Sequence, residues 1–210
     1  MQIILRHQPA YRKRKQAFHY DQLLSKYYDI MTQLIENHHD WQELDNYFYP
    51  LIAKEHPDIA TCINKADLSF YQEALAKSYQ AAMQCVQVDN YAALYIEFNP
   101  ENLWTSLFCL STYYLPKHML DDDEFSEDWA CSFDKGIDGP NFEDFSRIYN
   151  ECAHESPAIQ AYLIARCFAC LGRIYSSASK KDIAICVACH DCDIIRIQEY
   201  LPPLRKLYDV

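Results

Sequence analysis

Two runs of residues flanking Asn99-Pro100-Glu101-Asn102 constrain this chain more than any other feature. On both sides the sequence is filled by Tyr, Phe, Trp, Leu and Thr, residue types that suit a pleated, half-buried surface. The segment between them is short and polar, and Pro100 is placed to start a tight turn. This is the pattern of a β-hairpin. A third short run, Trp129 to Phe133, alternates large and small residues and reads as another antiparallel strand after an acidic loop. Outside the stretch from Tyr91 to Phe133 the chain reads mostly as helix.

Helical spacing is clear in several places. Tyr20, Leu23, Leu24, Tyr27, Met31, Leu34 and Ile35 recur on one face and predict a helix from about Phe18 to Glu36. Asp40 is a candidate N-cap for a second helix to Phe48, after which Pro50 interrupts or kinks the chain. Leu68, Tyr71, Leu75, Tyr79, Met83 and Val86 form one stripe and predict a helix from Ala66 to about Val86. Beyond the strand region, Gly136 to Pro140 reads as a turn, and Phe142, Phe145 and Ile148 mark a helix over 141–149. Ser156-Pro157 is a strong helix start, with Ser as N-cap and Pro at the first helical position. The helix it opens runs to about Tyr175 and carries Ile159, Tyr162, Leu163, Cys167, Leu171 and Ile174. Asp182 to Cys189 is an apolar run of strand length, suited to a buried strand. Asp193 to Tyr208 is ambiguous between strand and helix, and Pro202-Pro203 breaks it.

The expected fold class is α+β: a helical N-terminal half, a small antiparallel sheet around residues 91–133, then C-terminal helices and one further strand. At 210 residues the default is a single globular domain. Residues 1–17 read as a basic arm or helix start, with Met1 to Leu5 a short edge strand or a frayed end. No apolar stretch approaches the roughly 20 residues needed to span a bilayer. Ten cysteines without a signal peptide point to a reducing cytoplasm and mostly buried free thiols.

Composition excludes some functions. Glycine occurs only at Gly136, Gly139 and Gly172, against an average near roughly 7%. Phosphate loops and dinucleotide fingerprints need several glycines in one window, so both are ruled out. The formal charge of -11 argues against nucleic acid, whose non-specific binding depends on Lys and Arg neutralising phosphates. That charge is concentrated. Between Lys117 and Phe145 ten acidic residues face only Lys117 and Lys135, whereas the first fifteen residues carry five basic groups and no acid. An acidic segment of this kind fits a positively charged partner, or simply a solvated loop.

Of the chemical motifs, Cys167-x2-Cys170 and Cys186-x2-Cys189 have the spacing of a four-thiolate zinc site, with His190 and Cys192 as spare ligands. Zinc requires each pair to present its sulfurs from a tight turn, at about 2.3 Å from the metal. Here the first pair lies in a helix pattern and the second in a strand pattern, so a zinc-stabilised interaction module is the alternative reading. The competing one is small core residues where helix and strand meet. Cys189-His190-Asp191 holds nucleophile, base and acid types in sequence, but neighbours on a strand point to opposite faces and cannot form a relay. The carboxylates of 121–128 are too crowded in one hydrophilic loop to have the unlike environments that an acid and base pair needs. No catalytic residue, cofactor or metal ligand is assigned.

The run Tyr95-Ile96-Glu97-Phe98, followed by Trp104, Phe108-Cys109-Leu110, the acidic loop into Asp128-Trp129-Ala130, Gly139-Pro140 and Phe145 to Tyr149, resembles a known group. It is similar to small cytoplasmic immunity proteins of bacterial polymorphic toxin systems, of the contact-dependent inhibition and type VI secretion kind. The resemblance covers about residues 91–150. It implies a non-enzymatic inhibitor that binds a cognate toxin domain and engages neither nucleic acid nor membrane. On that basis Asp121, Asp122, Asp123, Glu124, Glu127 and Asp128 would supply charge towards a basic toxin. Tyr113 and Tyr114 would serve as aromatic anchors, with Trp129 a third candidate or a core residue.

Overall fold

The computed structural model describes residues 8–38, 41–117, 133–153, 156–178 and 182–199. It is an α+β fold. Helices α1 (Gln8–His38), α2 (Trp41–Ala53), α3 (Pro57–Lys65) and α4 (Ser69–Asp89) precede strands β1 (Ala93–Asn99), β2 (Thr105–Ser111) and β3 (Lys135–Asp138). Helices α5 (Glu143–Cys152) and α6 (Pro157–Ser177) follow, then β4 (Ala184–Cys189) and β5 (Ile195–Gln198). No helix among the described residues is long and apolar enough to cross a membrane.

The five strands form one sheet in the order β3-β2-β1-β4-β5. The β1–β2 hairpin is antiparallel, as expected, with Ala93 opposite Ser111 and Asn99 opposite Thr105. Its loop is held by the Asn99 side chain, whose Oδ1 accepts from the Glu101 and Asn102 N–H groups at 3.0 and 3.1 Å. Leu103 and Trp104 then take positive φ values of 53° and 54°, a conformation that side-chain residues adopt only when something else fixes them. Trp104 supplies the reason. Its ring is fully buried, edge-on to Phe145 at 5.8 Å and to Tyr149 at 5.9 Å, which ties the hairpin to α5.

Several expectations need correction. The antiparallel sheet expected around residues 91–133 is present as β3-β2-β1, and the further strand, β4, joins it parallel to β1 through the pairs Ala93–Ala184 to Phe98–Cys189, which makes the whole sheet mixed. Of the expected third strand at 129–133 only Phe133 is described. Phe133 lies outside any strand, and Lys135–Asp138 pairs with β2 where a turn was expected. Of the two readings of the basic segment, arm or helix start, the second holds for Arg12 to Lys15, which belong to α1, and Met1 to Leu5 lie outside the described residues. Helix α2 continues through Pro50 to Ala53; the proline removes only the N–H that would have met the Asn46 carbonyl. Helix α3 is too short to show an apolar stripe and is announced only by Pro57 at its first turn. Asp193 to Tyr208 contributes β5, and its residues from 200 onward are not described.

Helix α6 is the central element. It is apolar around nearly its whole circumference and is buried along almost its whole length, as such a helix must be. It packs on one face of the sheet, against Leu94, Ile96 and Phe98 of β1, Phe108 and Leu110 of β2, and Ile185, Val187 and Cys189 of β4. Helices α1, α2, α4 and α5 surround it. Ser156 caps it as expected, its Oγ accepting from the Ala158 N–H at 3.3 Å. Replacing this buried serine, Ser156→Ala, is expected to lower stability by about 1 kcal/mol in urea unfolding, with Ser156→Asn restoring most of the loss. The opposite face of the sheet carries a smaller cluster of Ala93, Tyr95, Cys109, Ala184, Cys186 and Ala188, closed by Tyr114.

Candidate functional site

Directly after β2 the chain crosses towards that smaller cluster, and the residues of this crossing form the base of the acidic segment. Ser111 Oγ accepts from the Tyr113 N–H at 3.1 Å, which turns the chain. Two neighbouring tyrosines are thereby sent in different directions. Tyr113 is 56% exposed, whereas Tyr114 is only 4% exposed and packs on the outer face of the sheet. Tyr114 donates its hydroxyl to Glu199, just past β5. Burial first, and then the nearby Cys186 and Glu199, push the Tyr114 phenol well above its ordinary range, so it stays a neutral donor. The expectation of two aromatic anchors is corrected here: Tyr113 is available to a partner, and Tyr114 is core.

Glu199 and Glu36 fasten the entry to the segment. Glu199 also accepts from the Lys117 N–H at 3.3 Å and faces Arg196 Nε at 3.6 Å. Glu36, on α1, takes the Lys117 ammonium at 2.7 Å and the Arg196 N–H at 3.0 Å. The exit is fastened as firmly. Asp134 accepts from the Thr112 N–H at 2.6 Å and the Thr112 hydroxyl at 2.9 Å, while its own N–H donates to the Leu110 carbonyl at 2.8 Å. A clasp therefore joins residues 112 and 134 across the foot of the segment.

The clasp has an electrostatic consequence. Both lysines of the stretch from 117 to 145 are committed, Lys117 to Glu36 and Lys135 Nζ to Cys85 Sγ at 3.1 Å. Their charge is directed at α1 and α4. Phe133, next to Asp134 at the exit, is 41% exposed, and the clasp joins the chain neighbours of Tyr113 and Phe133. Sequence reasoning assigned it to a strand; its place beside Asp134 was the one available hint. Asp121, Asp122, Asp123, Glu124, Glu127, Asp128 and Trp129 lie outside the described residues.

The four cysteines with zinc spacing do not converge. Cys167 and Cys170 of α6 and Cys189 of β4 lie in the core between helices and sheet, while Cys186 belongs to the cluster on the other side of the sheet. Strand alternation puts Cys186 and Cys189 on opposite faces. Burial raises the Cys167 thiol, and raises that of Cys170 to about 11, so both are held as neutral thiols. Among the described residues no group of three or more His, Cys, Asp or Glu side chains could hold a metal ion. His190 turns away from Cys189 to the outer face, where Nδ1 meets Glu97 Oε1 at 2.9 Å, so Cys189-His190-Asp191 makes no internal relay.

The larger hollows are of a different kind. A cavity of about 690 Å³ runs between α4 and α6, where Gln72, Gln80, Gln84 and Arg173 share the lining with apolar side chains and with Glu73, a carboxylate ion-paired to Lys77 at 2.8 Å. No family model, curated protein or solved structure matches the chain.

Proposed function

We propose that this chain is a cytoplasmic immunity protein that binds a cognate, basic bacterial toxin domain and blocks it without chemistry of its own. The observation that carries the reading is the clasped foot of the acidic segment, with Thr112 bound to Asp134 and exposed Tyr113 and Phe133 beside it. A segment fixed at its foot loses less freedom on binding than one joined by loose ends, so more of the charge attraction is realised as affinity. Six carboxylates between the two fastened ends would steer a basic surface, and exposed aromatic rings at the rim are the residue types that dominate interface energies. The resemblance of residues 91–150 to immunity proteins supplies the class of partner.

The test is affinity purification with the tagged chain from its native cytoplasm, at low and high salt, beside a variant with Asp121, Asp122, Asp123 and Glu124 changed to Lys. One basic protein should be retained by the wild type at low salt, released as salt rises, and lost from the variant while its circular dichroism is unchanged. Equal retention by the variant would remove the electrostatic part, and the absence of any basic partner would remove the reading.

A further inference from the structure

Strand β4 ends in a turn with the sequence Cys189-His190-Asp191-Cys192. The Cys192 N–H donates to the Cys189 carbonyl at 3.0 Å and Asp191 takes φ 60°, which closes a hydrogen-bonded reverse turn. Such a turn holds its first and last Cα atoms within about 7 Å, and a disulfide needs a separation of roughly 4.4–6.8 Å. Both side chains lie on the helix-covered side of the sheet, Cys189 in its core and Cys192 packed against it. Their surroundings differ sharply. Cys189 is buried under the helices, and its N–H, lying beyond the start of β5, donates to the Tyr28 hydroxyl at 3.1 Å. Cys192 is half-buried and lines a cavity of about 330 Å³ together with Asp21 and Asp29 of α1 and Asp191 and Asp193 of the turn.

We propose that Cys189 and Cys192 form a thiol–disulfide exchange site, with Cys192 the attacking thiol and Cys189 the resolving one, selective for disulfides carried on cationic or neutral molecules. The site goes beyond the binding role and does not depend on it. In the first step the Cys192 sulfur, having lost its proton, attacks one sulfur of the disulfide RSSR. A Cys192–SR bond forms, the S–S bond breaks, and the thiolate RS⁻ leaves and takes up a proton. Cys189 then loses its proton and attacks the Cys192 sulfur, expelling the second RS⁻. The dithiol is oxidised to an internal disulfide and the substrate is reduced to two thiols.

The order of attack follows from the environments. The neighbouring Cys189 thiol lowers the Cys192 thiol, against opposing effects of burial and of Asp193 and Asp191. Cys192 in turn, together with burial, Cys167 and Glu97, raises Cys189. Selectivity comes from the mouth of the cavity, where four carboxylates repel an anionic disulfide and draw in a cationic one.

The reduced full-length chain is treated at low salt with cystamine, 2-hydroxyethyl disulfide or oxidised glutathione, then alkylated and mapped by mass spectrometry. Exposed Cys62 in the same chain serves as the reference thiol. Cystamine is expected to produce a Cys189–Cys192 disulfide. Normalised to Cys62, its rate at Cys192 should exceed that of oxidised glutathione by about 10-fold or more, with the ratio falling as salt is added. Cys189→Ser should hold a mixed disulfide on Cys192, and Cys192→Ser should leave Cys189 unreacted. If Cys192 reacts more slowly than Cys62 with all three reagents, or no Cys189–Cys192 bond forms, the proposal is overturned. That comparison within the wild-type chain decides the matter even where a serine variant fails to fold.

Discussion

Gly172→Ala is expected to destabilise the protein although it places a better helix former in the middle of α6. An alanine Cβ at this position would overlap the Cδ2 and Cγ atoms of the Trp41 ring. Trp41 opens α2 and is almost fully buried, so the ring has no open space to move into. Helix propensity favours the change by about 1 kcal/mol, while forcing atoms into a packed core costs about 3 kcal/mol. Overpacking wins. The net loss of about 2 kcal/mol corresponds to a fall in Tm of roughly 4–8 °C for a chain of this size. A double-mutant cycle gives the sharper check. In a Trp41→Ala background the obstruction is gone, and Gly172→Ala should become stabilising by about 1 kcal/mol. A glycine variant that melts at the wild-type temperature would show that α2 and α6 do not meet at this point.

A larger loss is expected at Asp45. This α2 carboxylate receives the Arg166 guanidinium of α6 at 3.2 Å, with Arg173 at 3.7 Å, and Arg166 also reaches the Asn64 carbonyl of α3 at 3.4 Å. The Arg166 and Asp45 side chains are 10% and 11% exposed. Truncation to Asp45→Ala leaves a buried cation without its counter-ion, which costs about 3–5 kcal/mol. Loss of the Arg173 contact adds little, since that side chain is 42% exposed and solvent screens it. The second change, Arg166→Met, should recover most of the loss when added to Asp45→Ala, because an apolar pair removes the stranded charge. Urea denaturation of the four proteins measures this directly. Additive losses in the double variant would mean that the two residues do not act as a pair.

Neither of these residues was singled out from the sequence, and the reasons are physical. Arg166 is a charge on an otherwise apolar helix, which signals only that some partner exists; the partner lies 121 residues away. Gly172 in a helix pattern reads as a mild weakness until the facing ring is known. The acidic segment was legible as charge, yet its foot was not. Thr112 and Asp134 are 22 residues apart and nothing in either flanking pattern predicts their bond.

Every element with its own periodicity or punctuation could be read from the residues alone. The stripes of α1, α4 and α6, the Ser156 cap, the hairpin around Asn99 and the apolar run of β4 follow from local chemistry, because each such pattern has one way to bury its apolar face. The other features come from packing partners distant in the chain. Strand β3 is exposed along most of its length and contains Gly136, so it has no burial signal; it exists because the free edge of β2 offers backbone groups that Lys135–Asp138 can pair with. The parallel join of β4 to β1 brings together strands 85 or more residues apart, and neither apolar run specifies the direction of its neighbour. Tyr113 and Tyr114 are the same residue type, and Glu199, 85 residues beyond Tyr114, fixes which of them faces inward. Periodicity says which face of an element is apolar; only the packed partners say what meets it.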